Sequence, residues 1–298
     1  MTQVANIIGA HAFRTIGQLL QWGKNELKIL GSDESLLNTE RIMEAVLGLN
    51  RSSVYLNQNQ IISDSSIKRY QEMIAERKER KPLSYILGEH AFWDETLEIN
   101  EFCLIPRPET EILIENFIRY SGFEKRDSFS FLDLCAGSGA IGIAILREFP
   151  NSEAVFSDIS EPALKMVRKN LRRYDLSGRA KLCVSDLFQV WDGQSALWDA
   201  VLCNPPYLSY EDLEKVEVEL QFEPVIALNG GEDGYDFYRK IAAEAPNFLK
   251  KDGRLFMELG IHQAQTVTEL LNQSGKLSPI RLFKDYSRTD RVITARKN

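Results

Sequence analysis

The spacing of apolar residues divides the chain into two parts with different predicted structures. In residues 13–30 the apolar side chains recur at the spacing of one helix face, and residues 32–49 and 63–82 repeat this pattern. Ser32 is a residue type that often caps a helix N-terminus, and acidic residues follow it in the first turn. We therefore predict a small all-helical domain over residues 1–82.

The pattern changes over residues 83–105, where the alternating, β-rich stretch 91–99 predicts one arm of a β-hairpin in a linker. Over residues 106–298, short apolar strands alternate with amphipathic helices. This alternation predicts an α/β domain with a doubly wound, mostly parallel sheet, and residues 280–297 predict a terminal antiparallel hairpin. Ligands of such sheets bind at the carboxyl ends of the strands, near the point where the strand order reverses.

The charge balance argues against one class of function. The 298-residue chain has a net charge of −7, and residues 1–82 carry 11 basic and 9 acidic side chains, so the remainder carries −9. A protein that clamps nucleic acid normally has a basic footprint. We therefore expect no direct DNA binding.

Cysteine and histidine spacing gives no metal motif and no disulfide framework, since no cysteine pair and no histidine pair lies at ligand spacing. Residues 1–22 lack the basic start and apolar core of a signal peptide, and no apolar run reaches the roughly 18 residues of a membrane helix. We expect a reduced, cytoplasmic protein without a metal and without membrane contact.

A glycine-rich loop is the first candidate ligand site. Gly137, Gly139 and Gly142 follow a predicted strand and open a predicted helix, and Asp158 ends the next strand. This spacing matches the dinucleotide-binding fingerprint, in which the acid binds a ribose diol. Taken alone, the loop indicates either a cofactor that contains adenosine or a tight turn that needs glycine for backbone reasons.

Two acidic residues discriminate between the possible cofactors. Asp133 ends the strand before the loop, where its carboxylate would repel a pyrophosphate but suits the cationic amino-acid end of S-adenosylmethionine, directly or through water. Asp186 ends the third strand, where it can accept a hydrogen bond from an adenine amino group. These positions favour S-adenosylmethionine over a nicotinamide dinucleotide.

The second candidate site is the stretch Asn204-Pro205-Pro206-Tyr207, directly after the fourth strand. A planar nitrogen is a poor nucleophile because its lone pair is delocalised. The Asn204 side-chain oxygen and a backbone carbonyl, that of Pro205, can accept hydrogen bonds from both of its N–H groups. Tyr207 offers a flat face for stacking, and the prolines add no competing donor. The alternative interpretation is a strand-terminating turn with a packed tyrosine.

With these motifs the chain resembles the HemK-type protein-(glutamine-N5) methyltransferases, which modify peptide-chain release factors. The resemblance runs through most of the chain after residue 83 and includes "LIPRPETE", "DLCAGSGAIGIA", "NPPY", "ALNGGEDG" and "KDYSRTDRV". The stretch "NPPY" is shared with DNA adenine methyltransferases, whereas "IPRPETE" joined to "ALNGGEDG" is much more specific to the protein-modifying branch.

The resemblance implies a class I S-adenosylmethionine-dependent methyltransferase fold and methyl transfer to the glutamine amide in the Gly-Gly-Gln motif of class-1 release factors. It also implies that the helical domain recognises the body of the release factor. With Asp133, the expected cofactor-binding residues are Cys135, Ala136, Gly137, Ser138, Gly139, Asp158, Asp186, Leu187 and Asn204. The expected substrate-binding residues are Asn204, Pro205, Pro206 and Tyr207, of which Asn204, Pro205 and Tyr207 are the expected catalytic residues.

Two residues depart from the family pattern. Cys135 stands where the family often has glycine, and we expect it to be tolerated and not catalytic. Leu187 stands where relatives can have an aromatic residue, so adenine stacking is expected to be weaker there.

Three further charged residues have open or structural roles. Arg107 is expected to approach the cofactor, to clamp the linker, or to pair with Glu109 or Glu111. Glu258 and Asp233 are interpreted as structural.

Three other functions fit part of the sequence. An adenine-N6 DNA methyltransferase would use the same Asn204 geometry on a flipped base, but would need a basic groove. A nicotinamide dehydrogenase would use the glycine loop, and a catalytically idle scaffold would bind the release factor through the helical domain alone. We favour the release factor methyltransferase, acting as a monomer.

Overall fold

The computed structural model describes residues 14–298, which form two compact units, one ending at Leu87 and the other spanning Gly88–Asn298. His11 and most of the stretch without signal-peptide character lie outside the described residues. Within residues 14–298, no helix is long and apolar enough to cross a bilayer.

The first unit is built from helices that pack around one apolar core, which includes the fully buried Ile42 and Tyr70. Ser32 is the first residue of its helix and not the N-cap, which is Gly31 at φ 89°. The sequence pattern missed two short helices, Arg51–Leu56 and Leu83–Leu87. The second of them adds Ile86 to this core. The helices are α1 Ile16–Glu26, α2 Ser32–Leu47, α3 Arg51–Leu56, α4 Asp64–Lys78 and α5 Leu83–Leu87.

The second unit is an α/β domain that begins with a two-stranded antiparallel hairpin. Its strands are β1 Glu89–Phe92, β2 Glu95–Glu98, β3 Ser130–Leu134, β4 Glu153–Asp158, β5 Ala180–Val184, β6 Trp198–Cys203, β7 Leu249–Glu258, β8 Leu277–Lys284 and β9 Asp290–Lys297. Its helices are α6 Pro108–Tyr120, α7 Ala140–Glu148, α8 Glu161–Arg173, α9 Tyr210–Leu213, α10 Asp236–Phe248 and α11 Ala264–Gln273.

Seven strands form one sheet in the order β5-β4-β3-β6-β7-β9-β8. The first five of these are parallel, and β9 pairs antiparallel with both β7 and β8. Because the chain runs outward from β3 to β4 on one side and β6 lies on the other, the strand order reverses between β3 and β6. The predicted doubly wound, mostly parallel sheet with a terminal antiparallel hairpin is therefore confirmed.

Buried apolar side chains explain why the central strands form the core. Leu132 on β3 and Val201 on β6 are fully buried, and so are the neighbouring Phe131 and Leu202, which point to the opposite sides of these strands. Strands buried on both faces need continuous apolar sequence, which is the pattern of both segments.

Gly142 in α7 lets this helix pack closely on the sheet. A Cβ at this position would lie 2.3 Å from the Phe156 ring and 2.8 Å from Asp133 Oδ2. We expect Gly142→Ala to lower the free energy of unfolding by about 1–3 kcal/mol, because this overpacking exceeds the roughly 1 kcal/mol that alanine gains in a helix. Urea denaturation measures the change. Gly178→Ala is the matched control, since nothing lies within 4 Å of its Cβ, and an equal effect of both substitutions would contradict the packing argument.

Candidate active site

A cleft of about 960 Å³, partly open to solvent, lies at the carboxyl ends of β3, β4, β5 and β6. The strand order reverses at the same edge, which is where ligands of such sheets bind. The residues that line the cleft include Cys103, Leu104, Thr110, Cys135, Ala136, Gly137, Ser138, Asp158, Asp186, Leu187, Asn204, Pro206 and Ala227.

The glycine-rich loop forms the floor of this cleft between β3 and α7. Gly137 and Gly139 have φ values of 55° and 83°, which favour glycine. Cys135 also has a positive φ, 58°, which gives a physical reason for glycine in relatives at this position. The Gly137 N–H donates to Asp158 Oδ2 at 2.8 Å. This hydrogen bond ties the loop to the acid at the end of β4.

Asp158, Asp186 and Leu187 line the wall of the cleft beyond the loop. Asp158 accepts from the Ser160 N–H at 2.9 Å as well as from the loop, and burial raises the pKa of its carboxyl against these hydrogen bonds. Leu187 is buried and offers an apolar surface. The structure thus brings the three residues predicted for ribose and adenine to one wall; their roles stay predictions.

Asp133 lies behind the loop and is not among the residues that line the cleft. Its side chain is 1% exposed, Oδ2 accepts from the Gly142 N–H at 2.9 Å, and Oδ1 is buried without a hydrogen-bond partner in residues 14–298. Burial raises its pKa from 3.8 to about 8. Its predicted contact with a cofactor, directly or through water, stays a prediction.

The raised pKa of Asp133 predicts a pH-dependent stability. Between pH 3.8 and about 8 the unfolded chain has the ionised carboxyl while the folded chain retains the proton, so this group destabilises the fold as pH rises through that window. We expect Asp133→Asn to increase the free energy of unfolding relative to the wild type more at pH 8 than at pH 5, by on the order of 1 kcal/mol or more. Urea denaturation at both pH values measures the difference, and a pH-independent difference would contradict the pKa.

Asn204, Pro205, Pro206 and Tyr207 leave the end of β6 and separate two clefts. A second cleft, of about 420 Å³ with the open solvent it contains, is lined by Pro205, Tyr207 and Arg107, among others. Asn204 lines both clefts. Leu104 and Ala227 also line both clefts, so the two clefts adjoin at these three residues.

Tyr207 is fixed through its backbone by two segments that follow it in the chain. Gln263 Nε2 donates to the Tyr207 carbonyl at 3.0 Å. A Cβ on Gly230 would lie 2.7 Å from Tyr207 Cα, and a Cβ on Gly234 would lie 2.6 Å from its carbonyl oxygen. The glycines of "NGGEDG" therefore let this loop pack on the Tyr207 backbone, and burial raises the pKa of the Tyr207 hydroxyl.

Arg107 pairs with Glu223, so the expected ion pair with Glu109 or Glu111 is wrong. The Glu223 carboxylate is buried and also accepts from the Ile105 N–H at 3.1 Å. Two hydrogen bonds from one segment to a single carboxylate tie residues 105–107 to the loop after Tyr207. Arg107 lines the second cleft and is not among the residues that line the first.

Asp233 and Glu258 were both interpreted as structural, and the two differ in burial and in their contacts. Asp233 pairs with Arg239 on the surface, whereas Glu258 is buried and hydrogen-bonded to a residue of the first cleft, Thr110. The four cysteines are free, and no group of residues in the described part of the chain has the makings of a metal site.

Comparison with known proteins gives matches along most of the chain. The model of the PrmC N-terminal domain matches residues 18–88, and the methyltransferase small domain matches residues 109–223. The release factor glutamine methyltransferase of Caulobacter vibrioides is 34% identical over 92% of this chain and 94% of its own. That of Geobacter sulfurreducens is 33% identical over 95% of this chain and 96% of its own.

The chain belongs to the release factor glutamine methyltransferase family. The predicted resemblance is therefore confirmed, and with it the prediction of an S-adenosylmethionine-dependent methyltransferase.

Solved structures support the fold of this family member. A methyltransferase of Pyrococcus furiosus has a TM-score of 0.50 at 17% identity and covers 68% of this chain and 88% of its own. The hMettl16 catalytic domain, solved with an RNA hairpin, has a TM-score of 0.53 at 14% identity and covers 80% of this chain and 84% of its own. At these identities the likeness confirms the class I methyltransferase fold alone.

The sequence analysis of this family member missed three residues that shape its site: Thr110, Glu223 and Gln263. Each lies far in sequence from the residue that it holds, and a local pattern gives no sign of such a contact. Among the three, Thr110 alone stands in a stretch that the sequence analysis quotes, "IPRPETE".

Proposed function

We propose that this protein transfers a methyl group from S-adenosylmethionine to the side-chain amide nitrogen of the glutamine in the Gly-Gly-Gln motif of class-1 peptide-chain release factors. One observation carries the proposal: Asn204 lines both clefts, with a site for a small cofactor on one side and a narrower cleft beside Tyr207 on the other. The family supports the same substrate class.

The substrate amide lies in the second cleft, between Asn204 and Tyr207. The Asn204 side-chain oxygen and the Pro205 carbonyl accept its two N–H groups, which holds the nitrogen lone pair toward the first cleft. Tyr207 stacks on the amide plane, and its fixed backbone keeps the ring in place. Pro206 keeps the turn rigid and adds no N–H that would compete for an acceptor. The Asn204 and Pro205 carbonyl dipoles are already oriented, so they stabilise the positive charge that develops on the substrate nitrogen without rearranging during the reaction.

The first cleft fits S-adenosylmethionine by the chemistry of its donors and acceptors. Asp158 accepts from a ribose diol, and Asp186 with Leu187 holds an adenine ring through its amino group and an apolar contact. Loop residues Cys135 to Gly139 surround the amino-acid end, while the unpartnered Asp133 Oδ1 behind them suits a water that bridges to an ammonium group. When bound, the cofactor supplies the methyl group on a cationic sulfur.

The helical unit contributes affinity for the release factor body in this proposal. A Gly-Gly-Gln loop presents little surface, so contacts remote from the amide are needed to hold it for reaction. Because release factors act in translation, we propose the cytoplasm as the site of action. We still predict that the protein is a monomer and that it does not bind DNA.

The test is the partition of label between two substrates. Tritiated S-adenosylmethionine is incubated with the protein and either a purified release factor or duplex DNA that contains adenine. The proposal predicts label in the release factor, and none when its Gly-Gly-Gln glutamine is replaced by alanine. Label in DNA with none in the release factor would overturn the proposal in favour of adenine methylation.

A further inference from the structure

A buried chain of hydrogen bonds runs from Asn204 into the protein interior. Asn204 Nδ2 donates to Thr110 Oγ1 at 3.2 Å, and Thr110 Oγ1 donates to Glu258 Oε2 at 2.6 Å. Thr110, near the start of α6, is 4% exposed, and Glu258, the last residue of β7, is 1% exposed. The chain thus joins three elements that are distant in sequence at the edge of the sheet where the clefts lie.

The direction of these hydrogen bonds follows from the carboxylate. An ionised carboxylate only accepts, so the Thr110 hydroxyl proton points to Glu258. The Thr110 oxygen then accepts its second hydrogen bond, and only the NH₂ group of Asn204 can supply it. The Asn204 carbonyl oxygen is therefore turned away from Thr110, and the opposite orientation of the amide would leave two acceptors facing each other.

We propose that Thr110 and Glu258 are positioning residues that fix the amide orientation of Asn204, so that its carbonyl oxygen faces the substrate nitrogen. This inference rests on the proposed function, in which the substrate presents N–H groups. With the Asn204 amide reversed, its NH₂ group would face those N–H groups, donor against donor, and the substrate would lose its preorganised acceptor.

Glu258 also lies near the other end of the substrate turn. The Tyr207 side chain is close enough to lower the pKa of the Glu258 carboxyl. One buried carboxylate thus orients the first residue of the turn through Thr110 and lies near the last. This explains why a chain would retain a buried acid at the end of an apolar strand, where the desolvation of its charge is costly.

The same geometry gives the positioning a pH dependence. Burial raises the pKa of Glu258 to about 7, with the Thr110 hydrogen bond, Arg291 and Tyr207 lowering it and Glu109 raising it. A protonated Glu258 donates to Thr110, whose hydroxyl then donates to the Asn204 oxygen, and the whole chain of hydrogen bonds reverses. The active orientation is therefore favoured above that pKa and lost below it.

The test compares single-turnover and steady-state methylation of a release factor by five variants. Thr110→Val removes the link and Glu258→Gln imitates the protonated acid, while Thr110→Ser retains the hydroxyl. We expect the first two to lower kcat about tenfold or more with the cofactor Kd little changed, and the serine variant to retain the wild-type rate to within about threefold. Thr268→Val and Glu269→Gln, both on α11 away from the clefts, are the matched controls.

The pH profile separates positioning from a merely structural role. Wild-type kcat should fall as pH is lowered through about 7, and Glu258→Gln should lack this step. Full activity of Thr110→Val, or the same step in Glu258→Gln, in protein that melts like the wild type would overturn the inference. Should Thr110→Val fail to fold, the rate and pH profile of Glu258→Gln decide; should Glu258→Gln fail to fold, the rate of Thr110→Val and the wild-type pH profile decide. A wild-type enzyme that leaves the release factor unmethylated would instead refute the proposed function, so the two failures are distinguishable.

Discussion

Asn204→Ala should lower the rate of methyl transfer by about a hundredfold or more and leave cofactor affinity nearly unchanged. Loss of one preorganised hydrogen-bonding group in such a site costs on the order of 3 kcal/mol in the transition state. Asn204 lines both clefts, and in the proposed function its carbonyl oxygen accepts a hydrogen bond from the substrate amide. Single-turnover kinetics with release factor measure the rate, and isothermal titration calorimetry measures cofactor binding.

A matched control for this variant is Asn272→Ala, an exposed asparagine on α11. The control should keep the wild-type rate and affinity. An unchanged rate in Asn204→Ala would remove the role assigned to Asn204, and an equal loss of cofactor affinity would assign the residue to the cofactor instead.

Removal of residues 1–87 should lower kcat/KM for full-length release factor by about a hundredfold, the lower end of what a second, linked contact contributes. Cofactor binding should persist, because every residue that lines the first cleft lies in the unit Gly88–Asn298. The residual activity on a short Gly-Gly-Gln peptide should equal that of the full chain, since such a peptide is too small to use remote contacts.

The comparison of peptide and full-length substrate is the internal control for this truncation. A parallel loss on both substrates would indicate damage to the catalytic unit and not a lost docking surface. Equal activity of both enzymes on full-length release factor would refute the docking role of the helical unit.

Features that depend on neighbouring residues were predictable from the sequence. The alternation of apolar strands and amphipathic helices gave the parallel sheet, and the glycine spacing placed Gly137 and Gly139 at the end of β3. The apolar run before Asn204 predicted a buried strand that ends there, and β6 does end at Cys203; the substrate role of Asn204 and Tyr207 stays a prediction. Each inference used residues within one strand–loop–helix segment, where local geometry determines the outcome.

Features that depend on contacts between distant segments were not predictable in this way. Thr110 and Glu258 lie 148 positions apart, yet their side chains meet at 2.6 Å. Arg107 had two acids within its own helix turn as candidate partners, but it pairs with Glu223 in a distant loop. The spacing of residues in the sequence does not show which acid Arg107 pairs with. Burial of Glu223 strengthens its ion pair with Arg107, and that burial depends on the fold.

Short helices were missed for a related reason. The helix α3, Arg51–Leu56, is too short to show a periodic apolar face, and it is stabilised by the Asn50 cap and the burial of Val54. Tertiary packing and not helix propensity holds such segments.

The most direct test of this account is the position of the methyl group. The protein is incubated with S-adenosylmethionine and a purified release factor, and the release factor is then digested and analysed by peptide mass spectrometry with fragmentation. The account predicts the added mass of one methyl group on the side chain of the Gly-Gly-Gln glutamine. A methyl group on another residue, or none at all while cofactor binding is intact, would contradict it.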